Sequence, residues 1–169
     1  MATWNIDTSH SEAGFWVRHL MVTKVRGQFK QWKGQMATDG DDLSTAKISA
    51  EVQVGSIDTR EEKRDGHLKS ADFFDAEHHP TMSFVSKTFS GGKLTGALTI
   101  RGTTKDVTFD VTSLGKAKDP WGNQRWAFEG STTINRKDFG LNWNQALEAG
   151  GVLVGEEVHI ELQAQFVAG

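Results

Sequence analysis

The chain has 169 residues, 24% of them charged and 37% hydrophobic, with a formal net charge of -3, no cysteine and two prolines. That length suits one domain, residues 1–169, and no run of about 18 apolar residues is available for a membrane span. Zero cysteine excludes disulfides, thiolate metal sites and a cysteine nucleophile, and the slightly acidic balance gives no basic field for nucleic acid. Ten phenylalanines and six tryptophans stand against no tyrosine, a bias toward rings that bury large areas with no hydroxyl to satisfy.

Taken in chain order, the dominant period is two. The N-terminus carries no basic segment followed by an apolar stretch of the secretory type, so the expected location is the cytoplasm, or the periplasm if a leader has been removed. Phe15, Val17 and His19 alternate with Trp16 and Arg18, and Val25, Gly27 and Phe29 with Arg26 and Gln28. On strict alternation His19 faces the interior, while Trp16 and Trp32 face outward. Ala46, Ile48, Ala50, Val52 and Val54 form the clearest early run. After it, Thr59 reads as a helix N-cap with Glu62 three residues on. Leu68, Ala71, Phe73 and Phe74 give that short helix its anchors across one end of the fold.

The alternation then resumes at Met82 and Phe84, at Leu94 to Ile100, and at Val107, Phe109 and Val111. It continues through Trp126, Phe128, Gly130, Thr132 and Ile134, and ends with Val158, Ile160, Leu162, Ala164 and Phe166. Turn signals separate these runs, among them Ser90-Gly91-Gly92 and Asp119-Pro120-Trp121-Gly122-Asn123. Alternating short strands with short turns predict an all-β antiparallel barrel or sandwich of about eight strands. Gly27, Gly96 and Gly130 inside strands suit the bends of a closed barrel.

Local signatures of catalysis are missing. The sequence has no G-x-S-x-G elbow, no phosphate-binding glycine loop and no H-x-x-x-H pair. His78 and His79 are neighbours whose side chains point apart, and His159 lies on a polar face, so neither a metal site nor a catalytic residue is assigned. His19 and the cluster Arg64-Asp65-Gly66-His67 each allow two readings: satisfied structural groups, or the mouth of a ligand cavity. Phe15, Phe29, Phe84, Phe109 and Phe128 fall on the apolar faces of different strands, where they either fill the interior or line it.

Several stretches resemble the YceI-like, polyisoprenoid-binding family. They are Trp4-x-Ile6-Asp7-x-x-His10-Ser11, Phe15-x-Val17-x-His19 and Ser56-Ile57-x-Thr59. Arg64-Asp65-x-His67-Leu68-x-Ser70-x-Asp72-Phe73-Phe74-Asp75 and Pro80-x-x-x-Phe84-x-Ser86 continue the match. Gly96-x-Leu98-Thr99-Ile100-x-Gly102-x-Thr104-Lys105, Ile134-Asn135-Arg136-x-Asp138-Phe139-Gly140 and Val154-Gly155-x-x-Val158 complete it. The resemblance implies an extended lipocalin-like barrel with a short helix at one end and an apolar tunnel for a long isoprenoid or isoprenoid-quinone lipid.

By that resemblance the tunnel is lined by Phe15, Val17, Phe29, Phe84, Leu98, Ile100, Val107, Phe109, Phe128 and Ile134, with His19, Arg64 and His67 at its mouth. The lipid is then the ligand, with no further cofactor, in a bacterial protein that stores, sequesters or transports it without catalysis. Homodimers occur in the family and are an expectation here. Two alternatives belong to other classes. One is an enzyme or stress-response factor acting on a lipid-like ester or pyrophosphate through the His/Arg/Asp cluster; the other is a barrel that works through a protein partner at Trp16 and Trp32.

Overall fold

The computed structural model describes residues 1–20, 22–144 and 154–169. Its strands are β1 (Ala2–Ile6), β2 (Glu12–His19), β3 (Thr23–Phe29), β4 (Trp32–Asp39), β5 (Asp42–Gln53) and β6 (Ile57–Asp58). Helix α1 (Glu62–Lys69) follows, then β7 (Thr81–Ser90), β8 (Lys93–Ile100), β9 (Thr103–Lys118), β10 (Gln124–Asn135) and β11 (Glu157–Ala168). Every pairing is antiparallel, and β11 meets both β10 and the β1–β2 side, so the sheet closes on itself.

Eleven strand segments make eight staves because three staves are interrupted. β1 and β2 both pair with β11 and are separated by a 3-10 turn at Thr8–His10. β3 and β4 pair with β2 and β1 in the same way across Lys30 and Gln31. β5 and β6 are split by the turn Val54–Ser56 and pair with β4 and β3. The result is a closed eight-stranded antiparallel barrel with one short helix, and no described helix is long and apolar enough to cross a membrane.

These interruptions explain one failed expectation. Side-chain direction alternates with a period of two, so a one-residue slip turns every later residue over. Lys30 and Gln31 introduce that slip, and Trp32 therefore faces the barrel interior, not the outside. Trp16 does face outward and stacks on His159 at 3.7 Å. A second correction concerns α1. Its N-cap is Glu61, whose carboxylate accepts from Lys63 N and Arg64 N, and not Thr59. Thr59 is buried instead and accepts from Arg64 Nε, an anchoring contact that holds the helix against β6.

The β1–β2 junction is pinned by charge. Asp7 accepts from Ser9 N and Oγ at 3.0 and 2.6 Å, and its other oxygen lies 2.8 Å from both Arg125 Nη1 and His10 Nδ1. Arg125 also donates to Asp119 Oδ2 in the β9–β10 turn. The Ser9 hydroxyl first, then Arg125 and His10, hold the Asp7 carboxyl well below its ordinary 3.8. A group whose folded value is depressed contributes stability above its unfolded value, and that contribution disappears as pH falls through the folded one. Asp7→Asn is therefore expected to cost about 2 kcal/mol at neutral pH, from lost charge-assisted bonds. The cost should shrink below about pH 4. Urea midpoints measured from pH 7 down to acid check this: the wild type should fall more steeply than the variant.

Candidate functional site: an apolar cavity with one polar end

The barrel is not filled by its own side chains. A cavity of about 410 Å³ runs through its interior, within the range of pockets that enclose small organic ligands. All five phenylalanines singled out by alternation, Phe15, Phe29, Phe84, Phe109 and Phe128, stand on its wall. Val17, Leu98, Ile100 and Ile134 join them. Val107 is buried without reaching the open space. Its cross-strand partner is Gly96, over which the Phe84 ring packs, and Phe84 meets Phe109 edge to face at 5.4 Å. Those two rings form the wall at that level.

One end of the barrel is shut. Trp4 and Trp126 lie edge to face at 5.4 Å and both are buried, yet neither lines the cavity. The Lys116 ammonium sits 4.4 Å from the Trp126 ring centroid and pairs with Asp41. Lys116 thus closes the floor with a cation over aromatic faces. The cavity reaches Met36, Phe89, Leu94 and Phe166 just above this floor.

The other end, under α1, carries the charge. The ionisable residues along the described wall are Arg18, His19, Arg64, His67 and Arg136, of which Arg18 turns its side chain outward over Trp16, and no carboxylate accompanies them there. His19, Arg64 and His67 therefore come together at one end, but they are not equally free. Arg64 donates through Nε to Thr59 Oγ1 at 2.8 Å and through Nη2 to Thr59 O at 2.6 Å. Thr59 in turn donates to Asp65. His67 Nε2 lies 2.8 Å from Asp72 Oδ2, and its ring meets Trp143 and Phe73 edge to face at 4.7 and 5.1 Å. His19 ends β2, bridged to Val154.

The residue that sequence periodicity could not find is Arg136. It follows β10 in a 3-10 turn, Arg136–Phe139, and is 4% exposed. Nε donates to Gly155 O at 2.9 Å, and Nη1 to Leu141 O and Trp143 O at 2.6 and 2.8 Å. Nη2 donates to Val154 O at 3.3 Å. Burial pushes this guanidinium down from its ordinary value, with the Glu156 carboxylate opposing. Its four carbonyl partners belong to the segments on either side of residues 145–153, so one side chain ties the polar end together. The same segments supply Phe139, Leu141 and Trp143 to the wall. Only the run Ile134-Asn135-Arg136-x-Asp138-Phe139-Gly140 marked the spot in sequence.

Comparison with known proteins agrees with this geometry. The YceI-like domain model matches residues 4–166. A UPF0312 protein of Staphylococcus epidermidis is 45% identical over 167 residues, covering 98% of each chain. The crystal structure of BcnA from Burkholderia cenocepacia superposes with a TM-score of 0.81 at 24% identity, covering 95% of this chain and 98% of that one. A polyisoprenoid-binding domain from Saccharophagus degradans, implicated in plant cell wall breakdown, gives a TM-score of 0.70 at 12% identity over 98% of each chain. The last two likenesses establish a shared fold, and the family match adds descent: the chain belongs to the YceI-like family.

Proposed function

We propose that the protein binds a long-chain isoprenoid lipid, of the quinone or a related type, inside the barrel and stores, sequesters or carries it without chemical conversion. The carrying observation is the shape of the cavity: apolar along its length, closed at the Trp4–Trp126 floor, with its ionisable groups gathered at the α1 end. That polarity supports one orientation, tail toward the floor and head group beneath α1. A head group rich in electron-pair acceptors suits a wall that offers cations and imidazoles and, among the described residues, no carboxylate. His19 is the freest of the three predicted partners, since Arg64 is engaged by Thr59 and His67 by Asp72. The same engagements support binding over turnover.

Burial of isoprenoid contributes roughly 0.8 kcal/mol per methylene, on the order of 3 kcal/mol for each five-carbon unit before ordering costs. A few units approach the practical ceiling for non-covalent affinity. Chain-length preference then comes from where the tail meets the floor, not from unlimited gain in affinity. Native mass spectrometry of protein purified without detergent, followed by organic extraction, should release an isoprenoid of defined length. A barrel that carries no amphiphile and takes up none when offered a length series sinks the reading.

Gly130 offers a gentler test. It lines the cavity, and a Cβ there would meet its nearest neighbours only at 3.8–3.9 Å, in ordinary contact. Gly130→Leu should fill empty space, leave the protein at least as stable by about 0.5 kcal/mol or more, and reduce lipid uptake at least tenfold. Lost stability with retained uptake would place the ligand elsewhere.

A further inference from the structure

The β2–β3 hairpin borders the polar end of the cavity: Val17, Arg18, His19 and Val25 line the wall, and Leu20 and Val22, at the tip, lie past the His19–Thr23 pair that ends the ladder. Leu20 and Val22 at that tip are 44% and 74% exposed. Leu20 is held at φ 54, a backbone region that suits Gly or Asn far better than a leucine. The turn is fixed by Val22 N donating to His19 O at 3.1 Å and Arg18 Nη1 donating to Val22 O at 3.0 Å. An aliphatic side chain is thus kept on an unfavourable backbone conformation with nearly half of its surface open to water.

Immediately behind the tip lies a different chemistry. Trp16 faces outward with Lys24 Nζ 4.2 Å and Arg18 Cζ 5.3 Å from its ring centroid. Arg26 is the next outward cation, 3.8 Å from Glu161, which also accepts from Trp16 Nε1. Neither Arg18 nor Lys24 has a carboxylate within 4 Å among the described residues. Aliphatic groups outermost, with the cations Arg18 and Lys24 two residues behind and Trp16 with Arg26 four behind, fit a lipid surface of acyl chains and anionic head groups with an interfacial aromatic.

We propose that the β2–β3 hairpin tip docks on an anionic lipid bilayer, Leu20 and Val22 entering the surface and Arg18, Lys24 and Arg26 facing the head groups. The purpose of such docking rests on the lipid-binding reading above, since it would set the cavity mouth against the source of the cargo. The residues changed in the test below, Leu20, Val22 and Lys24, are separate from the cavity floor and wall that carry that reading. Two aliphatic side chains make a shallow, reversible contact, as a protein that must leave again requires.

Sedimentation with vesicles tests the proposal. The protein should bind mixed phosphatidylcholine–phosphatidylglycerol vesicles roughly tenfold or more tightly than phosphatidylcholine alone, with binding weakened by salt. The double variant Leu20→Asn, Val22→Asn and the single variant Lys24→Glu should each lose roughly tenfold in affinity for the mixed vesicles while keeping wild-type circular dichroism. Trp121→Ala is the control: Trp121 is 81% exposed, but in the β9–β10 turn at the opposite end of the barrel.

The proposal is overturned if the tip variants bind like the wild type, if neutral and anionic vesicles bind alike, or if Trp121→Ala is the change that abolishes binding. A dimer in solution that the tip variants split would place a second copy on the hairpin and overturn it too. Uptake of a fluorescent isoprenoid from detergent, measured in parallel, separates the two readings. Uptake without tip-dependent vesicle binding sinks docking alone. Vesicle binding without uptake sinks the cargo reading and leaves docking standing.

Discussion

Arg136→Met is expected to lower the unfolding free energy by about 3 kcal/mol. Two opposing effects decide the figure. Removing a buried guanidinium also removes the cost of keeping its charge out of water, a cost that often rivals the gain from its partners. Here the partners are four backbone carbonyls in two segments, Leu141, Trp143, Val154 and Gly155, of which Val154 O keeps a 2.8 Å bond from Asn144 Nδ2 when the side chain goes. Each orphaned buried acceptor costs about 1–3 kcal/mol, so the other three, Leu141, Trp143 and Gly155, outweigh the relieved charge. Methionine keeps most of the volume and isolates the hydrogen bonding from cavity formation. In urea the midpoint should fall by about 1–2 M, on an ordinary dependence for a chain of this size. Arg136→Lys should recover little, because one ammonium on a flexible stem cannot reproduce a planar fork. A Met variant as stable as the wild type would show that desolvation wins here.

A pair of identical changes at two glycines should give opposite results. At Gly96 in β8, an added Cβ would lie 2.5 Å from both Phe84 Cζ and the Val85 carbonyl oxygen. A ring can turn aside, but the backbone oxygen belongs to the β7–β8 ladder and cannot move without parting the strands. Gly96→Ala is therefore expected to cost about 3 kcal/mol, the upper end of overpacking, and to loosen the Phe84–Phe109 wall. Gly130→Ala, with nothing nearer than 3.8 Å, should be neutral or slightly stabilising, since alanine restricts the unfolded chain. Thermal unfolding of the two variants side by side checks both. Equal effects would mean that strand propensity, and not the close approach of the Phe84 ring and the Val85 carbonyl, governs these positions.

The parts of the molecule legible in its sequence are those governed by alternation. Five phenylalanines on five apolar strand faces all reach the cavity wall, because each lies within an unbroken stretch of strand where the period of two holds. The reading failed where a stave is interrupted. Trp32 follows a two-residue break that nothing in local composition announces, and its side turned over with the phase. At α1, a Thr and a Glu at capping-box spacing pointed to Thr59, but the adjoining Glu61 offers two backbone donors a longer carboxylate. Thr59 was drawn inward by Arg64 and Asp65 instead. Arg136 was out of reach of periodicity altogether, since its partners are carbonyls up to 19 residues away. A lined interior, as opposed to a filled one, was equally invisible: both put the same phenylalanines on the same faces, and only the volume left between them differs.

The Trp4–Trp126 floor has a kinetic meaning. A tube open at both ends lets a chain thread through, so that entry and exit need not compete. A sack with one opening makes any tail leave by the route it entered, last carbon in and first carbon out. Each further unit held above the floor must be drawn back past the same polar rim before the molecule is released. Residence time should therefore lengthen with tail length even after equilibrium affinity has levelled off, through the dissociation rate. In such a container withdrawal past the polar rim, and not the strength of binding, sets how fast the contents leave.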